Sequence, residues 1–490
     1  MSAPLTLHNG EVAAEDEIPL LSAIDFRDAV TGAVASGRRI CSLFCTPADE
    51  GRLRLVAVIG DDAAGHLSLV AMTVEKSYPS LTPDCPQAHL FEREIAEQWG
   101  VIPLGHPCLK PVRYSAAELP AVGDFFRVEG DEVHEVAVGP VHAGVIEPGH
   151  FRFQCHGEDV MHLEIALGFQ HRGVERALIR GPNPRSAHYM ETLAGDTTAG
   201  HSFAYFRTVE SLAEIEVPIR AQVIRGIALE LERMANHAGD LGALAGDVGF
   251  LPTASYCGRI RGDILNLTAL LCGSRFGRGL LRLGGVHFDL DDERAKQLVQ
   301  RLAKTMEDLE SAVELLWKSP SVLARFEETG EISPETCDAL GLVGPAARAC
   351  GAERDVRHDY PYGIYRFFNI PVSSWNSGDV FARAFVRWLE IKRSAEFIQE
   401  QAQALTGGSI CADERPLQPD SLVVSLVEGW RGEICHVAFT DEQGRFSTYK
   451  VVDPSFHNWA GLAMSLRGGQ ISDFPLCNKS FNLSYCGHDL

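Results

Sequence analysis

No Cys-x-x-Cys pair occurs anywhere in this sequence, although it holds 13 cysteines. The closest two, Cys41 and Cys45 in CSLFC, have a spacing that suits two small core residues better than half of a metal site. An iron–sulfur cluster held by this chain is therefore not expected. The cysteine number is odd and the N-terminus, MSAPLTLHNGEVAAEDEIPL, lacks a basic stretch followed by an apolar one; reduced thiols in the cytoplasm are expected rather than a disulfide framework. No run of 18 apolar residues is present, so no membrane-spanning helix is expected. Positive charge is scarce too, with 44 Lys and Arg against 66 Asp and Glu for a net charge of -22. A surface of that sign repels phosphate backbones, which excludes nucleic acid as a partner. The sequence also lacks HExxH, an HxxxH on a predicted helix, a GxGxxG after a strand and any internal repeat. Those absences exclude a zincin-type site, a Rossmann unit with its NAD site, and a solenoid.

What is present fits a conventional multidomain protein: 490 residues, 45% hydrophobic and 22% charged. Residues 1–21 read as an N-terminal extension and residues 22–118 as a small α/β unit. AIDFRDAVTGAVASGRR has helical spacing, LRLVAVIG and HLSLVAMTVEK are strand-like, and HLFEREIAEQWG is a short helix stopped by Gly100. A linker over 119–138 leads into a larger unit, 139–490. There GHFRFQCHGEDVMHLEIALGF predicts two strands turning at HGED. Long bundle helices follow: one carries Ile224, Ile227, Leu231, Met234, Ala238 and Leu241 on one face, a second Leu298, Leu302, Met306, Leu309 and Val313. A third, GDVFARAFVRWLEIKRSAEFIQEQAQAL, precedes a hairpin in ICHVAFTDEQGRFSTYKVV.

Eight of the 18 histidines fall between His134 and His201, a density that points to a site. The stretches around them carry a family resemblance. GPVHAGVIEPGHFRF, FQHRGVERA, LELERMANHAGDLGALAGDVGF, LRLGGV, DVRHDYPYG, GDVFARAFVRWLE, VEGWRGEICHVAF and VDPSFHNWAGLAMSLRGGQISDFPL occur in order over 139–490. This region resembles the large subunit of group 4, membrane-bound [NiFe] hydrogenases of the formate-hydrogenlyase and hydrogenase-4 type. More distantly it resembles the hydrogenase-derived large subunit of respiratory complex I. Residues 22–118, most clearly FEREIAEQWGVIPLGHPCLKPVR, resemble the small complex I subunit that such hydrogenases carry fused at the N-terminus. The resemblance implies an α+β fold: a small α/β domain, then a mainly long-helix bundle with flanking antiparallel strands.

Hydrogenases of this class hold nickel and iron with four cysteines, two from C-G-x-C and two from D-P-C-x-x-C; soft thiolates suit a redox-active nickel. Anchored on HSFAY, the first pair falls on Ala194 and Thr197 in AGDT. Anchored on ISDFPL, the second falls on Ser484 and Gly487, preceded by Asn482 and Leu483 in place of Asp-Pro. All four ligands are missing, and Cys477 and Cys486, out of register, do not replace four sulfurs. No metal is therefore expected. The chain reaches Leu490 shortly after the motif, as expected of a protein outside the clipping route of nickel maturation.

Complex I supplies the other comparison. Its quinone-pairing histidine matches His150 in EPGHF, and its arginine beside the terminal cluster matches Arg172 in HRG; the quinone-pairing tyrosine falls on Gly195, with Tyr189 the nearest phenol. The polar residues around the old site are Glu175, Glu191, Asp196, Thr197, Thr198 and His201, with His150 and His171. Catalytic candidates are thus His150, which would orient an acceptor, Arg172, which would tune a partner cluster, and Asp196 and His201 as proton sources. Cofactor-binding candidates are His150, His171, Arg172, Gly195 and Thr197.

The resemblance implies a large subunit of a complex-I-like or hydrogenase-4-like oxidoreductase complex without its [NiFe] centre. Electrons would pass between a partner's [4Fe–4S] cluster and a quinone or other acceptor in the vacated cavity, coupled to ion translocation. No cofactor is expected to be held firmly by this chain itself. The implied partners are a small [4Fe–4S] subunit, ferredoxin-like subunits and antiporter-like membrane subunits in a hetero-oligomer. The implied location is peripheral, on the cytoplasmic face of the inner membrane. The alternative is a non-catalytic scaffold that keeps the hydrogenase fold; it predicts collapsed packing around Gly195, whereas an enzyme predicts an open pocket.

Overall fold

The computed structural model describes residues 3–48, 51–114, 123–142 and 146–490. The boundary expected at residues 118 and 119 lies outside the described residues.

The N-terminal layer packs helices α1 (Ala23–Ala35) and α2 (His89–Trp99) on an antiparallel sheet. Its strands are β1 (Leu5–Leu7), β3 (Arg39–Pro47), β4 (Leu53–Asp61) and β5 (His66–Val74), in the order β1-β5-β4-β3. Local chemistry sets the helix ends: the Ser22 hydroxyl accepts from the Asp25 N–H, and Gly100 closes α2 in the left-handed conformation at φ 67°. Strand β3 contains CSLFC and is buried along nearly its whole length. A strand covered on both faces shows no alternation, so the sequence pattern did not reveal it.

Residues 3–21 do not stand apart as an extension. While β1 pairs with β5, β2 (Val12–Ala14) crosses to the C-terminal sheet and pairs with β9 (Ser421–Gly429), Ala14 opposite Ser421. Between them the Asn9 side chain donates to the carbonyls of Tyr360 and Leu426 and accepts from the Leu426 N–H. Of the span expected as a linker, Val133–Val138 forms β6 and pairs with β7 (His150–His156), which pairs with β8 (Asp159–Ala166).

Five helices build the interior: α3 (Thr198–Leu212), α4 (Ile219–Asp247), α5 (Leu251–Cys272), α6 (Asp292–Trp317) and α7 (Val380–Gln403). Asp291 and Asp379 cap α6 and α7. Helix α3 is buried almost all round, which erases the polar face that periodicity needs. Helices α4 and α5 approach closely at Gly242, where a Cβ would stand 2.7 Å from Cys257 Cβ. Completing the domain, β9, β10 (Gly432–Thr440) and β11 (Phe446–Val452) form the sheet β11-β10-β9-β2, followed by helix α8 (Pro454–Ser465). Among the described residues, no helix is long and apolar enough to cross a membrane.

Charges penetrate this bundle. Arg348, fully buried, donates to Glu390 at 2.6 Å and to Glu428 at 2.9 Å. Arg357 bridges Asp355 at 2.6 Å and Glu230 at 3.1 Å, and Arg233 reaches Glu230 at 3.1 Å. Buried charges of this density persist only when each has partners.

Candidate functional site

Three distant segments meet: the turn Gly195–Thr197 before α3, the two-residue turn Trp430–Arg431 between β9 and β10, and the tail 482–490. The Trp430 Nε1–H donates to the Asp196 carbonyl at 3.0 Å and to Thr197 Oγ1 at 3.1 Å. Arg431 clamps the Asp196 carboxylate with both terminal nitrogens, at 2.6 and 2.8 Å, and donates through Nε to the Asn482 carbonyl at 2.5 Å. Its guanidinium lies 3.9 Å from the centre of the Trp430 ring. Burial works against ionisation of Asp196, but the Arg431 charge holds its carboxyl below the usual range.

Behind this clamp, His201 Nε2 lies 3.0 Å from Asp453 Oδ2. The other oxygen of Asp453 accepts from the Ser455 N–H at 2.8 Å, so Asp453 also caps α8. That carboxylate occupies the space of a side chain at position 487: a Cβ added to Gly487 would stand 2.6 Å from both Cγ and Oδ2 of Asp453.

The tail fixes the HRG loop in turn. Asp489 accepts from the N–H groups of Gly168 and Gln170, each at 2.8 Å; its carbonyl lies 2.8 Å from His171 Nδ1; and the Leu490 carbonyl accepts from Arg172 and Gly173. The Arg172 side chain is exposed and donates only to carbonyls, those of Thr192, Leu193 and Cys486. Its charge therefore meets no carboxylate among these contacts and points outward beside Gly195, which is also exposed.

Two cavities adjoin the site. The one touching Asp196, Thr198 and Glu232 has a volume of about 20 Å³, room for about one water. The other, about 1030 Å³, is a cleft between the N-terminal layer and the HRG loop, walled by Trp99, Arg172, Glu175, Tyr449 and Lys450 among others. At its floor Lys450 pairs with Glu94 at 2.7 Å and Glu175 at 2.9 Å.

A nickel–iron group does not fit these residues. Ala194, Thr197, Ser484 and Gly487 offer no thiolate, and Thr197 Oγ1 is taken by Trp430. Burial pushes the Cys486 thiol up to about 11 and the Cys477 thiol up to about 12, and Cys477 packs against Gly330. Among the described residues, no group of three His, Cys, Asp or Glu side chains is placed to hold a metal ion.

Residues 247–421 match the family model described as respiratory-chain NADH dehydrogenase, 49 kDa subunit. Formate hydrogenlyase subunit 5 of Escherichia coli strain K12 is 30% identical over 439 residues, 83% of this chain and 76% of that protein. The chain belongs to the family of group 4 hydrogenase and complex I large subunits. Two further relatives span the same two branches. The carbon monoxide-induced hydrogenase of Rhodospirillum rubrum is 30% identical, with 71% of this chain and 97% of that protein covered. An NADH-quinone oxidoreductase subunit of Clostridium beijerinckii is 31% identical, with 68% and 91% covered.

Set in this large-subunit family, the candidate residues separate into groups. Asp196, Thr197 and His201 come together around Arg431 and Asp453, and His171, Arg172 and Gly195 form the adjoining surface. Glu175 is drawn away to Lys450 and the Val451 N–H. Glu191 accepts from the Gly279 N–H at 2.6 Å, and Thr198 donates to the Glu191 carbonyl. His150 is 6% exposed, lies under the Phe125 ring at 5.3 Å, and keeps its Nε2 without a hydrogen-bond partner among the described residues. Asp453, Arg431 and Trp430 fill the space around Asp196, Thr197 and His201, where the enzyme reading expects an open pocket and the scaffold reading collapsed packing, while Gly195 itself is exposed with open space beside it. Sequence reasoning missed those three, His436 and Glu232. Asp453 alone left a signal, the Asp-Pro-Ser pattern of a helix start.

Glu232, from α4, accepts from the Ala199 and Gly200 N–H groups at 2.6 and 3.1 Å and so caps α3. Burial, with Asp196 adding to it, pushes its carboxyl from 4.5 up to about 8. A raised carboxyl stabilises the fold below the unfolded value and loses that contribution as pH rises through about 8. Glu232→Gln is therefore expected to flatten the fall in urea midpoint between pH 5 and 8; an unchanged slope would show Glu232 ionised in the fold.

Proposed function

We propose that this chain is the large subunit of a membrane-associated, complex-I-like or hydrogenase-4-like oxidoreductase complex in which the [NiFe] centre has been lost. It passes electrons between a [4Fe–4S] cluster of a partner small subunit and a quinone or other acceptor, with ion translocation as the output. Ferredoxin-like and antiporter-like membrane subunits complete the assembly. The observation that carries this reading is the Asp453 carboxylate standing where a side chain at position 487 would have to begin. The region is packed around ion pairs, and a cysteine at position 487 would collide with Asp453.

In this reading the partner docks on the exposed face at Arg172 and Gly195. Arg172 favours the reduced cluster electrostatically, and its three carbonyl contacts keep the guanidinium aimed outward. His150 orients the acceptor through its unengaged Nε2.

Elemental analysis of the anaerobically purified complex is expected to find no stoichiometric nickel. Arg172→Met is expected to lower the partner cluster's potential by about 70 mV, the effect of one charge about 10 Å away at an effective dielectric of about 20. One nickel per complex would defeat the reading, as would an unmoved potential together with unchanged electron transfer to quinones in His150→Ala. The scaffold reading draws support from the full engagement of Asp196 and His201. It predicts a complex that assembles and transfers no electrons to any quinone.

A further inference from the structure

The surface around the Gly195 turn is short of acid in a chain that carries 66 Asp and Glu. Segments 170–192 and 273–288 hold seven arginines against two carboxylates, Glu175 and Glu191. Both acids are drawn inward. Glu175 pairs with Lys450 at 2.9 Å; Glu191 is buried, accepts from the Gly279 N–H at 2.6 Å and stands 3.5 Å from the ring of the exposed His188. Six of the arginines are exposed and enter no ion pair among the described residues, while Arg282 reaches Glu414 at 3.7 Å.

The two segments make one surface, joined through the short helix Ser186–Leu193. The Glu191 bond staples Gly279 to this helix, which places Arg278 beside it. Arg185 stands at the start of the helix, where its carbonyl accepts from the Tyr189 N–H, and Arg172 donates to the Thr192 and Leu193 carbonyls at the other end. Arg275 and Phe276 line the 20 Å³ cavity with Asp196 and Thr198, so Arg172 and Arg275 flank Gly195 from two sides. Phe276 is 42% exposed. Arginine around an exposed aromatic ring is the pairing that protein interfaces favour over the rest of a surface. With a net charge of -22, the chain repels an acidic protein everywhere except across such a patch. Only charges within a Debye length of about 8 Å act strongly. A compact protein covers the patch alone, whereas an anionic bilayer, being a plane, brings the acidic flanks into range.

We propose that Arg185, Arg275 and Arg278, with Phe276 among them, dock a protein partner through a carboxylate-rich face. The arginines select the acidic side of that partner and set its orientation, because any other approach meets like charge. Phe276 supplies the apolar contact at which water is excluded. Glu191, by holding loop 273–280 on the helix, keeps the guanidinium groups in one arrangement before the partner arrives. This deepens the proposed function, and rests on its reading of the chain as one subunit of an assembly, by giving the partner's docking face its chemistry.

The test uses the assembled complex, purified through this chain and titrated with sodium chloride. Arg275→Glu with Arg278→Glu is expected to lower by about half or more the salt concentration at which the chain leaves its partners. Arg366→Glu with Arg393→Glu, which adds the same charge at exposed sites elsewhere, is expected to leave it unchanged. In the complex carrying Arg278→Lys, a carbodiimide is expected to join the new amine to an Asp or Glu of another subunit, identified by mass spectrometry. Unchanged release in the first variant overturns the proposal, as does equal lowering in the control, or a cross-link that reaches only this chain's own carboxylates. Unchanged release combined with lost binding of the free chain to vesicles of equal parts phosphatidylglycerol and phosphatidylcholine overturns it in favour of a membrane surface. Arg172 is intact in every variant, and the nickel content and cluster potential test the proposed function separately, so either can fail alone.

Discussion

Arg348→Met is expected to lower the unfolding free energy by about 3–5 kcal/mol, the cost of leaving a buried carboxylate without its partner. Arg348 is the shared donor of Glu390 and Glu428 at the centre of the bundle. Without it, Glu390 keeps His237 at 2.8 Å and Arg233 at 3.7 Å, but Glu428 loses the salt bridge it makes at 2.9 Å. Burial, with Asp355 adding to it, pushes Glu428 up to about 7 even with Arg348 in place. In the variant Glu428 takes up a proton and sheds part of the penalty that way. Urea midpoints at constant m-value measure the change; a loss under about 1 kcal/mol would mean that water reaches the network.

The second large effect belongs to position 487. Gly487→Cys is expected to cost about 3 kcal/mol, at the upper end for overpacking, because the new Cβ falls 2.6 Å from a carboxylate held by His201 and the Ser455 N–H. Combining it with Asp453→Ala removes the obstruction, so the double variant should be more stable than the sum of the single changes predicts, by about 1–3 kcal/mol. Additivity within about 0.5 kcal/mol would show that Asp453 yields freely. Neither variant is expected to take up nickel, since one thiolate does not make the four-sulfur set.

Much of the framework was legible in the sequence. The helices that expose one face, α1, α2, α6 and α7, announce themselves through period and caps, as Leu298, Leu302 and Leu309 do in α6, while α4 was read from its apolar spacing although it is buried almost all round. Two buried elements without such spacing were missed: α3 is buried almost all round, and β3 is covered on both faces. The site divides in the same way. The resemblance singled out His150 and Arg172 by register, and Asp196 and His201 were candidates as polar neighbours of the aligned ligand positions. Their partners were hidden because they replace something. Arg431 sits in a hairpin turn more than 200 residues from Asp196, and only the fold reveals that its guanidinium lies against Asp196 and Thr197.

The N-terminal clasp gives the chain a birth order. Val12–Ala14 cannot find their place until Ser421–Val423 exist, roughly 400 residues later, a wait of roughly 20–80 s at ribosomal speed of about 5–20 residues per second. Through that interval β2 is an unpaired edge, and the first strand made for the C-terminal sheet is among the last to be seated in it. The two layers are thus locked together only once the C-terminal sheet has been made, and that sheet, which carries Arg431 at its hairpin, is completed by residues synthesised roughly 400 positions earlier.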